Sequence, residues 1–271
     1  MMRIRVGFEI SFCFSQPTAM LALLSVHPSR ASTIQTPECF EVNPDTSVSE
    51  FVDSFGNRCS RLFAPAGSVT LRNDTTVEDC GQSDQQLWNA VQHSVQDLPD
   101  EVLIFLLASR YCEVDSDLKD LAGNLFNSTP PGWQRVQSIC NFVFQHLGFD
   151  YQQARANRTA LEAFHERTGV CRDYTHLAIT LCRCMNIPAR YCTGYLSDIG
   201  VTPTHDPMDF CAWFEAYLGG KWHTFDPRNN VPRIGRVLIA RGRDAADAAL
   251  TTTFGANELE SFKVWADEVP G

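Results

Sequence analysis

The sequence predicts an α+β fold in two parts: an all-β, sandwich-like domain over residues 1–90, then an α+β domain over residues 91–271. Three observations carry that prediction. Ile4, Val6, Phe8, Ile10 and Phe12 alternate with mostly polar neighbours, the period of a half-buried strand. After the polar stretch Gly81 to Gln86 the apolar residues recur at helical spacing, and from Tyr191 onward strand patterns return. A chain of 271 residues has room for one substantial core plus a smaller module.

Taken in order, Arg3 to Phe12 forms a sheet element, because successive side chains of an extended chain face opposite sides. Weaker strand signals follow at Met20 to Val26, Ser68 to Leu71 and Thr75 to Glu78, with a turn near Phe55-Gly56-Asn57. This region has no constellation of acid, base and nucleophile, so it reads as a packing or substrate-orienting module. Helical periods then run through Val102 to Leu107, Leu118 to Phe126 and Val136 to Leu147. Pro130-Pro131-Gly132 makes a turn before the last of these, with Pro131 near the helix start. Thr168 to Asp173 is a loop running into a helix that continues to about Met185 and turns Leu177 and Leu181 inward. Strands are expected at Tyr191 to Leu196, Phe210 to Leu218, Trp222 to Phe225 and Arg236 to Ala240. Gly219-Gly220 is a hairpin turn between the second and third.

Composition narrows the function classes. With 44% hydrophobic and 20% charged residues the chain is ordinary for a globular protein, and no apolar run is long enough to span a bilayer. A net charge of -10 repels phosphate backbones, so neither nucleic acid nor membrane is an expected partner. Arg3 and Arg5 before apolar residues imitate a secretory signal, but Glu9 and Pro17 interrupt it, and the apolar stretch Ala19 to Val26 is only about eight residues long. A cytoplasmic location is expected. Eleven cysteines, an odd number spread over a long chain with no CxxC pair, fit reduced thiols better than a disulfide framework. No cysteine has a partner at zinc-site spacing, so no metal or other cofactor is expected.

One cysteine stands apart. Cys171 falls at the N-terminus of a helix, where the positive end of the macrodipole and unpaired amide donors stabilise a thiolate and can hold an oxyanion. The competing reading is a buried core cysteine.

Three blocks of sequence around it resemble the transglutaminase-like superfamily, a branch of the papain-type thiol hydrolases. They are Gly169-Val170-Cys171-Arg172-Asp173; Asn186-Ile187-Pro188-Ala189-Arg190 with Gly194-Tyr195; and Ala212-Trp213-Phe214-Glu215 with Phe225-Asp226-Pro227. The motifs cover roughly residues 130 to 230, and the whole chain is similar to a bacterial subgroup with an N-terminal β domain. The resemblance implies that a helix-borne Cys attacks an amide or ester carbonyl, that a His on the first strand takes its proton, and that an Asp on the next strand orients the His. Cys171 matches the nucleophile and Asp226 the orienting acid. The position of the His, directly before the Ala-Trp pair, is held by Cys211.

The departure matters geometrically. With Gly219-Gly220 as a two-residue turn, residue 213 lies opposite 226, so residue 211 is diagonal to Asp226 on one face of the sheet. A thiol there is a poor substitute for imidazole. His205, in the loop containing Pro203 and Pro207, could replace the base. His223 is three residues from Asp226, an offset that puts the two on opposite faces of a strand. Alternatively Cys171 works without a local His, or catalysis is lost and Cys171 with Cys211 forms a redox pair. His176, five residues past Cys171, lies off its face of the helix and reads as structural. Asp173 reads as capping or substrate positioning, and Tyr195 and Trp213 as core aromatics in preference to acyl-substrate contacts.

The expected function is thiol-dependent acyl transfer or hydrolysis on peptide or amide substrates through a Cys171 thioester, with a peptide or protein as substrate. The alternative is a non-catalytic binding module that keeps the cleft without the base.

Overall fold

A computed structural model describes residues 1–202 and 208–270. The first part of the chain carries strands β1 (Met2–Phe14), β2 (Thr18–Ala22), β3 (Glu41–Asn43), β4 (Val48–Val52), β5 (Arg58–Ala64) and β6 (Gly67–Asp79). The second carries helices α1 (Asp100–Leu103), α2 (Leu118–Phe126), α3 (Trp133–His146), α4 (Ala160–Glu166) and α5 (Cys171–Cys184). Short strands β7 (Gly148–Phe149) and β8 (Thr168–Gly169) flank α4 and pair in parallel. Strands β9 (Ala189–Leu196), β10 (Cys211–Leu218), β11 (Lys221–Phe225) and β12 (Arg236–Gly242) follow, and β13 (Thr251–Thr253) and β14 (Asn257–Val269) close the chain.

The β domain is two antiparallel sheets, ordered β14-β1-β6-β3 and β13-β2-β5-β4. β1 is their clearest sequence-encoded element. Its alternating Ile4, Val6, Phe8, Ile10, Phe12 and Phe14 are all buried, each contributing roughly 1.5–3 kcal/mol as an upper estimate. The strand lies between β14 and β6, so both its edges are paired.

Three expectations change here. The signals at Ser68 to Leu71 and Thr75 to Glu78 belong to one long strand, β6. Strands β3, β4 and β5 go beyond the predicted set. Most consequentially, the expected boundary at residue 90 puts the C-terminal residues in the wrong unit, because β13 pairs with β2 and β14 with β1. The chain leaves the β domain, builds the second domain, and returns to complete the first. The sequence of β14, with Glu258, Glu260, Lys263 and Asp267 along an edge, has too little apolar alternation to announce this strand.

In the second domain the sheet runs β11-β10-β9-β12, with α5 packed against β10 and β9. The β10–β11 hairpin has the anticipated register, Leu218 opposite Lys221 through Phe214 opposite Phe225. Gly219 and Gly220 both adopt positive φ, 56° and 79°, the conformation that a two-residue turn matching strand twist requires. Leu177, Ala178, Ile179 and Leu181 of α5 are fully buried with Ala212, Phe214, Ala216 and Leu218 of β10, so the central helix is fixed on the sheet that carries the rest of the site.

The two domains share a contiguous core. Phe210, just before β10, meets Phe8 of β1, Tyr195 of β9 and Phe262 of β14 with ring centroids 5.2–6.3 Å apart. Asn57 in the β4–β5 turn adds polar ties, accepting from Arg241 N–H at 2.9 Å and donating to Arg241 C=O at 2.8 Å.

Candidate active site

Cys171 is the first residue of α5, as the sequence predicts. The carboxylate of Asp173 secures this helix start by accepting the Val170 N–H at 2.9 Å. The same carboxylate oxygen takes a 2.9 Å hydrogen bond from Arg158, and both side chains are buried. Asp173 is therefore a helix cap held by a buried ion pair. Gly169 is required beside it: a Cβ there would lie 2.6–2.7 Å from Asp173 Cβ and Oδ2. Among the first-turn amides, those of Asp173 and Tyr174 bond to Val170 C=O, while those of Cys171 and Arg172 precede any intrahelical acceptor.

Cys211 opens β10 and pairs opposite Gly194 of β9. Its thiol donates to the Ala212 carbonyl, 3.6 Å from the sulfur, and lies beside Cys171 at the wall of the same pocket. The Cys171 thiol is held below its ordinary pKa, first by the hydrogen bond from Cys211 and then by the Ala212 N–H, against the opposing effect of burial. Cys211 is pushed the other way by that same bond, by burial and by the Cys171 charge. The two shifts run in opposite directions, so the first of the pair to ionise is Cys171. Both cysteines are half-buried and line one pocket of about 160 Å³, with Tyr151, Asp209, Phe210, Arg228 and Asn229 among its walls. Arg228 lies over the Phe149 ring at 4.2 Å, and burial raises the Asp209 carboxyl above its usual range.

Asp226 follows β11 but does not orient a histidine among the described residues. It accepts from Arg228 N–H at 3.1 Å, Asn229 N–H at 2.9 Å, Asn229 Nδ2 at 2.7 Å and Arg236 Nη2 at 2.7 Å. Burial works against its charge, and the Arg236 guanidinium and Asn229 outweigh it, keeping Asp226 below the usual carboxylate range. Arg236, from β12, also binds Asp84 and lies over Trp213 at 5.1 Å. The guanidinium has become the partner of the acid.

The histidines divide clearly. His205 lies outside the described residues. His223 bonds to Leu218 C=O at 3.1 Å and meets Trp133 edge-on, away from Asp226 in its hydrogen bonding. His176 is buried, stacked on Tyr111 at 5.1 Å, and accepts the Ala245 N–H at 3.1 Å, the structural role its helical position predicts. The other ring hydrogen bonds among the described residues, His27 with Ser29 and His146 with Phe164 C=O, also lie elsewhere. Among the described residues no histidine bonds to Cys171 or Asp226.

Tyr195 and Trp213 are both buried. Tyr195 packs on Phe210, and Trp213 lines a separate cavity of about 300 Å³ with Arg236, so neither lines the Cys171 pocket. Among the described residues no group of three or more His, Cys, Asp or Glu is arranged to hold a metal ion. Sequence reasoning missed Arg158, Arg228 and Arg236. Arg228 directly follows the Asp226-Pro227 motif and could have been noticed there. Arg158 and Arg236 reach their carboxylates across 15 and 10 residues, a separation at which no local pattern links them.

Comparison with known proteins follows the same lines. The family model of the transglutaminase-like superfamily matches residues 119–227. The solved structure of a candidate cysteine protease from Cytophaga hutchinsonii superimposes with a TM-score of 0.84 at 31% identity, covering 100% of this chain and 91% of that one. An uncharacterized protein of Mycobacterium leprae is 28% identical over 262 residues, 92% of this chain and 91% of its own length. An uncharacterized protein of Mycobacterium bovis is 23% identical over 222 residues, 72% of this chain and 68% of its own.

Proposed function

The chain belongs to the transglutaminase-like superfamily, and from that premise we propose that it is a thiol-dependent acyl-transfer enzyme acting on peptide or protein amides through a thioester on Cys171. The observation that carries this reading is the environment of one sulfur. Cys171 stands at the start of α5 beside Cys211 and lines an open pocket, and the Cys211 side chain and Ala212 N–H lower its pKa. These features shift Cys171 toward the thiolate, the form that attacks a carbonyl. In the attack the sulfur's lone pair forms the C–S bond and the carbonyl oxygen takes negative charge near the amides that open α5; the carbonyl then re-forms as the C–N bond breaks, and the leaving amine takes its proton from solvent water. Water or a second amine then cleaves the thioester.

Cys211 supports an altered division of labour in this site. It supplies a hydrogen-bond donor to the thiolate where the superfamily's usual imidazole would accept a proton. Its neutral state follows from the same interaction that charges Cys171. The test is to incubate reduced protein with a denatured protein substrate and follow new amine groups and incorporation of a labelled primary amine. Either product, absent in Cys171→Ala, supports the reading; neither product in the parent contradicts it.

A second reading has its own observation. The Asp226 carboxylate is engaged by Arg236 and Asn229, which favours a binding module that keeps the cleft without the proton relay. Activity appearing only in Cys211→His would support it, whereas a parent protein already active and silenced by Cys171→Ala would exclude it.

A further inference from the structure

We propose that Cys171 and Cys211 form a peroxide-reactive pair, in which Cys171 is oxidised by a hydroperoxide and Cys211 resolves the product as an intramolecular disulfide. The proposal draws on the Cys171 thiolate of the functional reading but does not need acyl transfer. Two thiols, on α5 and on the β10 strand packed against it, far apart in sequence, line the wall of one pocket of about 160 Å³ open to a small oxidant. Five of the other cysteines are different in kind. Cys59, Cys112, Cys140, Cys182 and Cys192 are buried, and burial raises their pKa values, which leaves them protonated and inert. Cys171 is the cysteine with both a stabilised charge and a thiol beside it.

The chemistry balances in two steps. The Cys171 thiolate attacks one peroxide oxygen; an S–O bond forms, the O–O bond breaks, and the departing oxygen takes a proton and leaves as alcohol or water. Cys171, now a sulfenic acid, has lost two electrons to the peroxide. Cys211 then gives up its proton and attacks the Cys171 sulfur; an S–S bond forms, the S–O bond breaks, and the hydroxide leaves with that proton as water. The second step is prepared by the first. The Cys171 side chain and its charge help hold the proton on Cys211, and oxidation removes both contributions; burial and the Asp226 charge continue to oppose the Cys211 thiolate, and the Arg236 cation favours it. The disulfide consumes the nucleophile, so peroxide switches acyl transfer off and a dithiol reductant restores it.

The experiment treats reduced full-length protein with one equivalent of hydrogen peroxide, blocks the remaining thiols, and maps the peptides by mass. The expected product is a Cys171–Cys211 link, with loss of two hydrogens, reversed by dithiothreitol. In Cys211→Ser the expected product is a sulfenic acid on Cys171 that dimedone captures. Sulfinic or sulfonic acid on Cys171 of the parent without the link overturns the proposal. So does an unmodified Cys171 when exposed Cys39 and Cys80 are oxidised. Release of amine groups from a denatured protein substrate and incorporation of a labelled amine by the reduced protein are measured in parallel: either product without the link defeats this inference alone, and the link with neither product defeats the acyl-transfer reading alone.

Discussion

Replacing Cys211 by Ala removes the donor that most favours the Cys171 thiolate, leaving Ala212 N–H and the α5 terminus to work against burial. A hydrogen bond to a charged group contributes about 1.5–3 kcal/mol. At about 1.4 kcal/mol per factor of ten, the thiolate fraction at neutral pH falls roughly ten- to a hundredfold. A more basic thiolate is also more nucleophilic, and a Brønsted coefficient of about 0.4–0.5 recovers about half of that loss on a logarithmic scale. The net prediction is alkylation of Cys171 at neutral pH slowed by about three- to tenfold, with the midpoint of the pH–rate profile moved upward. The assay is iodoacetamide labelling of the Cys171 peptide, quantified by mass across pH. Cys211→Ser keeps a hydroxyl donor and should recover part of the loss. A Cys211→Ala profile superimposable on the parent would refute the claim that Cys211 stabilises the charge.

Other consequences concern stability. Asp226→Ala strands Arg236 in a buried site with Asp84 alone and should cost about 3–5 kcal/mol, read from denaturant midpoints. Because the folded pKa of Asp226 is depressed, its contribution is fully present above the unfolded value and is lost as pH falls through the folded one; Asp226→Asn should flatten the acid limb of the stability curve. Gly169→Ala forces a methyl group into the Asp173 side chain and should destabilise the protein by about 1–3 kcal/mol, again by denaturant titration. Burial lowers the pKa of His27 from 6.5 to about 4, so the unfolded chain binds its proton first and stability declines as pH falls across that window. His27→Gln should reduce that decline, and unchanged urea midpoints between pH 7 and pH 5 in the parent would contradict it.

The parts of the fold most legible in the sequence are those whose signal is local. The alternation of β1, the glycine pair at 219–220 and the helix start at Cys171 each arise from neighbouring residues, and each appears where the pattern puts it. The return of β14 to β1 is illegible because pairing across some 250 residues depends on the shared core, and a charged edge strand carries little alternation of its own. The site divides similarly. Cys171 and Cys211 can be placed from their motifs, and the hairpin register brings Asp226 near them. The partners that decide what Asp173 and Asp226 do are Arg158 and Arg236, and tertiary folding alone makes those pairs. A carboxylate matched to a motif position can therefore be bonded to a different partner, as Asp226 is to a guanidinium.

The most direct test of the account is covalent capture of the acyl-enzyme. Reduced protein is mixed at neutral pH with an activated acyl ester, quenched in acid within seconds, and digested for peptide mass mapping. The expected product is the acyl group as a thioester on Cys171, removable by hydroxylamine and absent from Cys171→Ala. Acylation that spreads over exposed Cys39 and Cys80 while Cys171 stays free would contradict it.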